Sequence, residues 1–169
     1  NTSALYKAFR ELVQSGALAV EDVPKLTGVQ AAGAAPLAEA VKNGWSTIQR
    51  WDRVETRATA IRIGNPVNAP KAIPGIRETG GTATSVTDAE ITAAQRALAE
   101  EGVGVEPASA ASVAGLRKLV DAGEVGTDEA VVCLTTGHLL KDPDAAFAAS
   151  ADPEPVPNDL DAIVDHLGV

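Results

Sequence analysis

Val131-Val132-Cys133-Leu134-Thr135-Thr136-Gly137-His138-Leu139-Leu140-Lys141-Asp142-Pro143 is the stretch of this chain that decides the fold. An uncharged, β-branched run of strand length stops at a hydroxyl and a glycine, and a Lys-Asp-Pro terminator follows. Ligands of open α/β sheets bind just outside the carboxyl ends of the strands. The pattern therefore predicts a strand over 131–135 that delivers Thr136 to a ligand. Many buried strands end in Thr-Gly for packing reasons alone, so the weight of this one comes from what precedes it.

Working back from it, strands and helices alternate. Leu5, Phe9, Leu12 and Val13 recur at helical spacing, predicting a helix over about 3–15 that is capped by a hydroxyl and stopped by Gly16. Strands are expected at Leu26–Gln30, Thr59–Ile63, Thr82–Val86 and Val103–Val105. An alanine-rich helix is expected over Ala34–Asn43, with Pro36 in its first turn and Gly44 past its end. Thr87-Asp88-Ala89-Glu90 matches a capping box and opens a helix that runs to Glu101. A helix over Ser109–Ala122 ends at Gly123, and one over Leu160–Leu167 closes the chain after the Pro153, Pro155 and Pro157 linker. Alternation with apolar strands predicts the α/β class, a mainly parallel sheet flanked by helices on both faces.

Composition limits the functions on offer. Lys and Arg number 14 against 23 Asp and Glu, a net charge of −9 that disfavours nucleic acid and anionic membrane as partners. The acidity fits a solvated surface or adaptation to high salt. No run is long and apolar enough to span a membrane, and no signal peptide pattern occurs. The lone Cys133 sits in the apolar run, where core filler is the expected role; a single thiol fits a reducing, cytoplasmic setting. Methionine is absent and residue 1 is Asn, so the chain is expected to begin inside a longer polypeptide.

Four places have chemistry to offer. Asn1-Thr2-Ser3 opens the first helix, where free N–H groups and the dipole favour an anion, although a plain N-cap asks for the same residues. Ile63-Gly64-Asn65-Pro66 is a strand-end turn that loop chemistry also explains. Glu106-Pro107-Ala108-Ser109-Ala110-Ala111-Ser112 is mostly small, allowing close approach to something flat or tight helix packing, with Ser109 or Ser112 as a cap. Thr136-Gly137 is the fourth. Together they suit a planar, anionic cofactor across a sheet edge. His138 and His166 have no metal-ligand spacing, and no phosphate-binding glycine loop of the Walker or dinucleotide type occurs.

Taken in order, these segments resemble the C-terminal part of the threonine synthases, pyridoxal-phosphate enzymes of fold type II. The resemblance rests on Leu26 to Ala31 with Gly33 to Pro36, Ala58 to Pro66, Glu78 to Gly81, Val86 to Asp88, Glu106 to Ala111 and Leu134 to Pro143, and reaches to about residue 145. It implies that residues 1–145 are a portion of the catalytic domain that binds pyridoxal 5'-phosphate, with 146–169 a linker and terminal helix. Asn1 then looks like the last residue of the family's cofactor-phosphate loop, and Thr136 like the partner of the pyridine nitrogen. Thr2, Gly64, Asn65, Glu106, Ser109 and Gly137 are implied as further cofactor neighbours. Leu139 departs from the family's usual glycine, so a local difference is expected in the turn after Thr136. Val67-Asn68-Ala69 departs from the aromatic often found after Asn-Pro.

The resemblance further implies O-phospho-L-homoserine as substrate, L-threonine and phosphate as products, the rest of the same protein as partner, and a possible homodimer. None of the six lysines stands in the family's Schiff-base motif, so this chain alone is expected to be inactive. A threonine dehydratase or cysteate synthase segment, or a non-catalytic domain kept for assembly, are the other readings.

Overall fold

Two short strands pair in parallel at the centre: β1, Gly28–Ala31, and β2, Ala83–Val86, with Gly28 opposite Ala83 and Ala31 opposite Val86. A computed structural model describes residues 1–144, 147 and 155–168. Its helices are α1, Thr2–Gln14; α2, Pro36–Lys42; α3, Ala69–Glu78; α4, Asp88–Glu100; α5, Pro107–Asp121; and α6, Leu160–Leu167.

Side chains of a strand alternate between faces, and the two faces here meet different helices. Ala31 and Val86 join Ile91 and Ala94 of α4 and Ala110, Ala111 and Ala114 of α5 in one core. Ala83 packs instead against Leu37 and Ala40 of α2 and Ala72, Ile73 and Ile76 of α3. Both faces of the sheet are covered, as the apolar strands require. With so few aromatics, the core relies on Ile73, Ile76, Ile91 and Val86, all fully buried; each contributes about 1.5–3 kcal/mol by leaving water.

Three expected strands do not form among the described residues. Thr59–Ile61 is a turn of 3-10 helix, closed by Ile61 N–H to Ala58 C=O and Arg62 N–H to Thr59 C=O. Those bonds are local, and β-branched side chains pack from a turn as well as from a strand. Val103–Val105 and 131–135 build no ladder; an isolated antiparallel bridge joins Val105 to His138, beyond the end of the second run. A strand needs a neighbour to bond. β1 and β2 serve each other, while Val105 C=O is taken by the Gln95 side-chain amide at 2.8 Å. Val131, Val132 and Leu134 consequently remain exposed.

α3 is a helix that the sequence conceals, because Pro70, Pro74 and Gly75 read as breakers. Pro74 inside a helix costs roughly 3 kcal/mol, and burial of Ala72, Ile73 and Ile76 outweighs it. α1 begins at Thr2 with Asn1 as N-cap, and no hydroxyl caps it. The helix over Leu160–Leu167 is as expected, with Asp159 capping it. Pro155 and Pro157 are described, but Pro153 and the linker residues 145–146 and 148–154 lie outside the described residues.

The capping box forms in full. Thr87 N–H and Oγ1 both donate to Glu90 Oε2, at 2.6 and 2.8 Å, while Glu90 N–H donates to Thr87 Oγ1. The Thr87 backbone bond, reinforced by its hydroxyl and by Lys118, holds the Glu90 carboxyl below its ordinary value of 4.5. A depressed carboxyl stabilises the fold above its unfolded value and loses that contribution as pH falls through the folded value. Replacing Thr87 by Ala is expected to cost about 1 kcal/mol. The stability gap between the parent and Glu90→Gln, followed by urea unfolding, should be widest near neutral pH and close in acid. A gap constant with pH would contradict this origin.

Candidate functional site

The start of α5 receives the segment that carries Thr136. Pro107 occupies the first turn, where its missing N–H costs nothing, and extended Glu106 is the N-cap. The helix thus opens before Ser109, and neither Ser109 nor Ser112 caps it. Instead, Ser109 Oγ accepts the Gly137 N–H at 2.8 Å, and Glu106 N–H donates to Gly137 C=O at 3.0 Å. Both polar groups of Gly137 are committed to two residues of one helix start.

Glu106 lies beneath this contact, only 7% exposed. Its carboxylate Oε1 accepts Lys141 Nζ at 3.1 Å. A Cβ on Gly137 would fall 1.7 Å from that oxygen. Glycine is required here by space.

The chain then turns through Leu139–Lys141, a turn of 3-10 helix in which His138 Nδ1 accepts the Leu140 N–H at 3.2 Å. Leu139 stands where the resemblance leads one to expect glycine. No residue other than glycine has a positive φ among the described residues, so leucine is accommodated in an ordinary conformation. Gly104 makes room for it: a Cβ there would meet Leu139 Cδ2 at 2.0 Å, and Leu139 N–H donates to Gly104 C=O.

Four expected site residues, Glu106, Ser109, Thr136 and Gly137, therefore converge. Thr136 ends an unpaired segment rather than a central strand, since that strand does not form. Its side chain is exposed, next to a glycine whose backbone is fully bonded. Cys133, just before it, is half-buried, and burial pushes its thiol up from the ordinary value, away from nucleophile chemistry.

Asn1, Thr2, Gly64 and Asn65 are not joined to this cluster by any hydrogen bond among the described residues. Asn1 is exposed, its side chain caps nothing, and its C=O accepts from Ala4 and Leu5. Gly64 C=O accepts the Trp51 N–H at 2.9 Å, and Asn65 is exposed. The segment before that turn is clamped by Asp88, which accepts from Thr56 Oγ1 and from Arg57 N–H. Lys141 was not among the expected residues, because its pairing with Glu106 spans 35 residues and leaves no local pattern in the sequence.

A groove of about 690 Å³ between α1 and α3 shares no residue with this cluster. In it Tyr6 donates to Glu78, which pushes the phenol up, and Arg10 sits 5.5 Å from the Tyr6 ring centre. Among the described residues no group of His, Cys, Asp and Glu could hold a metal, and no helix could cross a membrane.

Residues 1–137 match the family model described as pyridoxal-phosphate dependent enzyme. This chain belongs to the pyridoxal-phosphate dependent enzymes. It is 58% identical over 168 residues to a threonine synthase of Methanosarcina acetivorans, covering 99% of this chain and 41% of that relative. A threonine synthase of Methanocaldococcus jannaschii is 51% identical over 164 residues, covering 96% of this chain and 40% of the relative. The chain thus spans about 40% of the length of these curated relatives. Among solved structures, a threonine deaminase from T.th. superposes with a TM-score of 0.52 at 18% identity, over 78% of this chain and 48% of that one. The fold is that of the fold type II enzymes of this family.

For this pyridoxal-phosphate enzyme chain, Gly137→Ala should be costly because the added methyl meets a buried carboxylate. A loss of about 1–3 kcal/mol is expected from such overpacking. Most of it should vanish in a Glu106→Ala background, where the colliding oxygen is gone. Equal losses in both backgrounds, by chemical denaturation, would place the strain elsewhere.

Proposed function

We propose that this chain is the C-terminal part of a threonine synthase, converting O-phospho-L-homoserine and water to L-threonine and phosphate with pyridoxal 5'-phosphate. The observation that carries this is the likeness of nearly the whole chain to archaeal threonine synthases at more than half identity.

The site chemistry supports it. Thr136 offers one neutral hydroxyl, both donor and acceptor, which fits the single nitrogen of a pyridine ring. The hydroxyl is exposed and its backbone neighbour is fixed, so an added ring has somewhere to dock. When bound, the cofactor supplies the electron sink for the reaction. The chain's own part is to place that sink: Thr136 meets the ring nitrogen without a charge, moderating electron withdrawal in a way that suits β,γ-elimination and replacement. Asn1, Thr2 and the unpaired N–H groups of the first turn of α1 suit the cofactor phosphate. Gly64 and Asn65, held by Trp51, are assigned to the rim beside the ring. Glu106, Ser109 and Gly137 fix the turn.

Residues 1–145 are on this reading a portion of the catalytic domain, with 146–169 a linker and the helix α6. The lysine that attacks the cofactor aldehyde belongs to the remaining part of the protein. So does a neighbour for Val131, Val132 and Leu134, whose exposed apolar side chains suit an adjoining strand. A homodimer and a cytoplasmic location complete the assignment, the latter supported by the lone, half-buried thiol.

The full-length protein should release phosphate and threonine from O-phospho-L-homoserine, whereas this chain alone should do neither. Thr136→Val in the full-length protein should lower cofactor affinity about tenfold, the worth of one lost hydrogen bond to a polar group. Borohydride reduction of this chain with pyridoxal phosphate should label no single lysine. Stoichiometric labelling of one of its lysines, with turnover, would contradict the assignment.

A further inference from the structure

We propose that the Lys141–Glu106 ion pair is a clasp that positions the Thr136–Gly137 turn, with Lys141 a positioning residue that acts through Glu106. The inference rests on the assignment of Thr136 to the cofactor ring.

The asymmetry of this pair sets it apart. In Lys7–Glu11, Arg50–Asp52 and Lys118–Glu90, both side chains are 40% or more exposed. In the remaining pair among the described residues, the Lys141 side chain is 61% exposed and that of Glu106 only 9%. An exposed pair contributes little because water serves either charge. A buried carboxylate has no such recourse, and stripping it of its cation leaves a charge that the protein must hydrate or neutralise.

The Gly137 backbone lies directly against this carboxylate, so close that a Cβ there would fall 1.7 Å from Glu106 Oε1. A carboxylate swinging outward would enter the space beside Gly137 and push against the turn. Losing the cation therefore acts on the peptide that carries Thr136. The chain is built to deliver that cation. Leu139 packs over Gly104 and His138 Nδ1 caps the short turn, so Lys141 returns to the α5 start with its amine in bonding range.

Lys141 lies outside the direct contacts proposed for the ring, and its role is distinguishable from that of Thr136. In the full-length protein, three variants are compared: Lys141→Met, Lys141→Arg and Thr136→Val. Two readouts are taken: amide hydrogen exchange over 134–141 and pyridoxal phosphate affinity by absorbance titration of the apo protein. Lys141→Met should speed exchange across the turn and weaken affinity, each by about tenfold. Lys141→Arg keeps the charge and should restore most of both. Adding Lys141→Met to Thr136→Val should cost little further affinity, since both act through one hydroxyl.

Unchanged exchange in Lys141→Met overturns the clasp. Faster exchange with unchanged affinity overturns its role in placing Thr136. Unchanged affinity in Thr136→Val overturns the Thr136 assignment itself, and the exchange result then stands or falls separately.

Discussion

Gly137 gives both its backbone polar groups to the start of α5, and the site depends on that contact. Its N–H reaches the Ser109 hydroxyl and its C=O receives the Glu106 N–H. A helix start has N–H groups without intrahelical partners, and the last strand-like segment has unpaired groups to offer. Each satisfies the other. The close approach excludes any side chain at 137 and buries the Glu106 carboxylate, which creates the need for Lys141. Thr136 is fixed by its neighbour, so its own hydroxyl is left available.

The rest of the fold serves to hold α5 where this can happen. Small residues, Ala110, Ala111 and Ala114, let α5 lie close to Ala31 and Val86 of the sheet and to α4. Gln95 of α4 ties down Val105, the residue before Glu106. The capping box at Thr87 fixes the start of α4, and Asp88 in the same turn clamps the loop that leads to Gly64. One helix start thereby positions a second segment of the site.

Much of this was legible in the sequence where the signal is local. The capping box, the glycine stops at Gly102 and Gly123, the strand runs near Leu26 and Thr82, and the terminal helix are encoded within a few residues. What failed was pairing. Runs at 59–63, 103–105 and 131–135 have strand composition, but composition says nothing about whether an edge is present to bond. α3 was hidden for the opposite reason, since Pro74 signals a break that packing of Ile73 and Ile76 overrides. In the candidate site, Glu106, Ser109, Thr136 and Gly137 were expected from residue type and family resemblance, and the structure brings them together. Lys141 was not, because an ion pair across 35 residues leaves no local trace. Leu139 looked like a disruption until Gly104, far off in sequence, proved to be its complement.

The central claim is that the Thr136 hydroxyl, steadied by Gly137 on α5, meets the ring nitrogen of pyridoxal phosphate. The most direct measurement is a crystal structure of the full-length protein with the cofactor bound. Thr136 Oγ1 should lie at about 2.7–3.2 Å from the pyridine nitrogen, with the Glu106–Lys141 pair intact beneath Gly137. A different side chain at that nitrogen, or a Thr136 hydroxyl turned away from the ring, would contradict it.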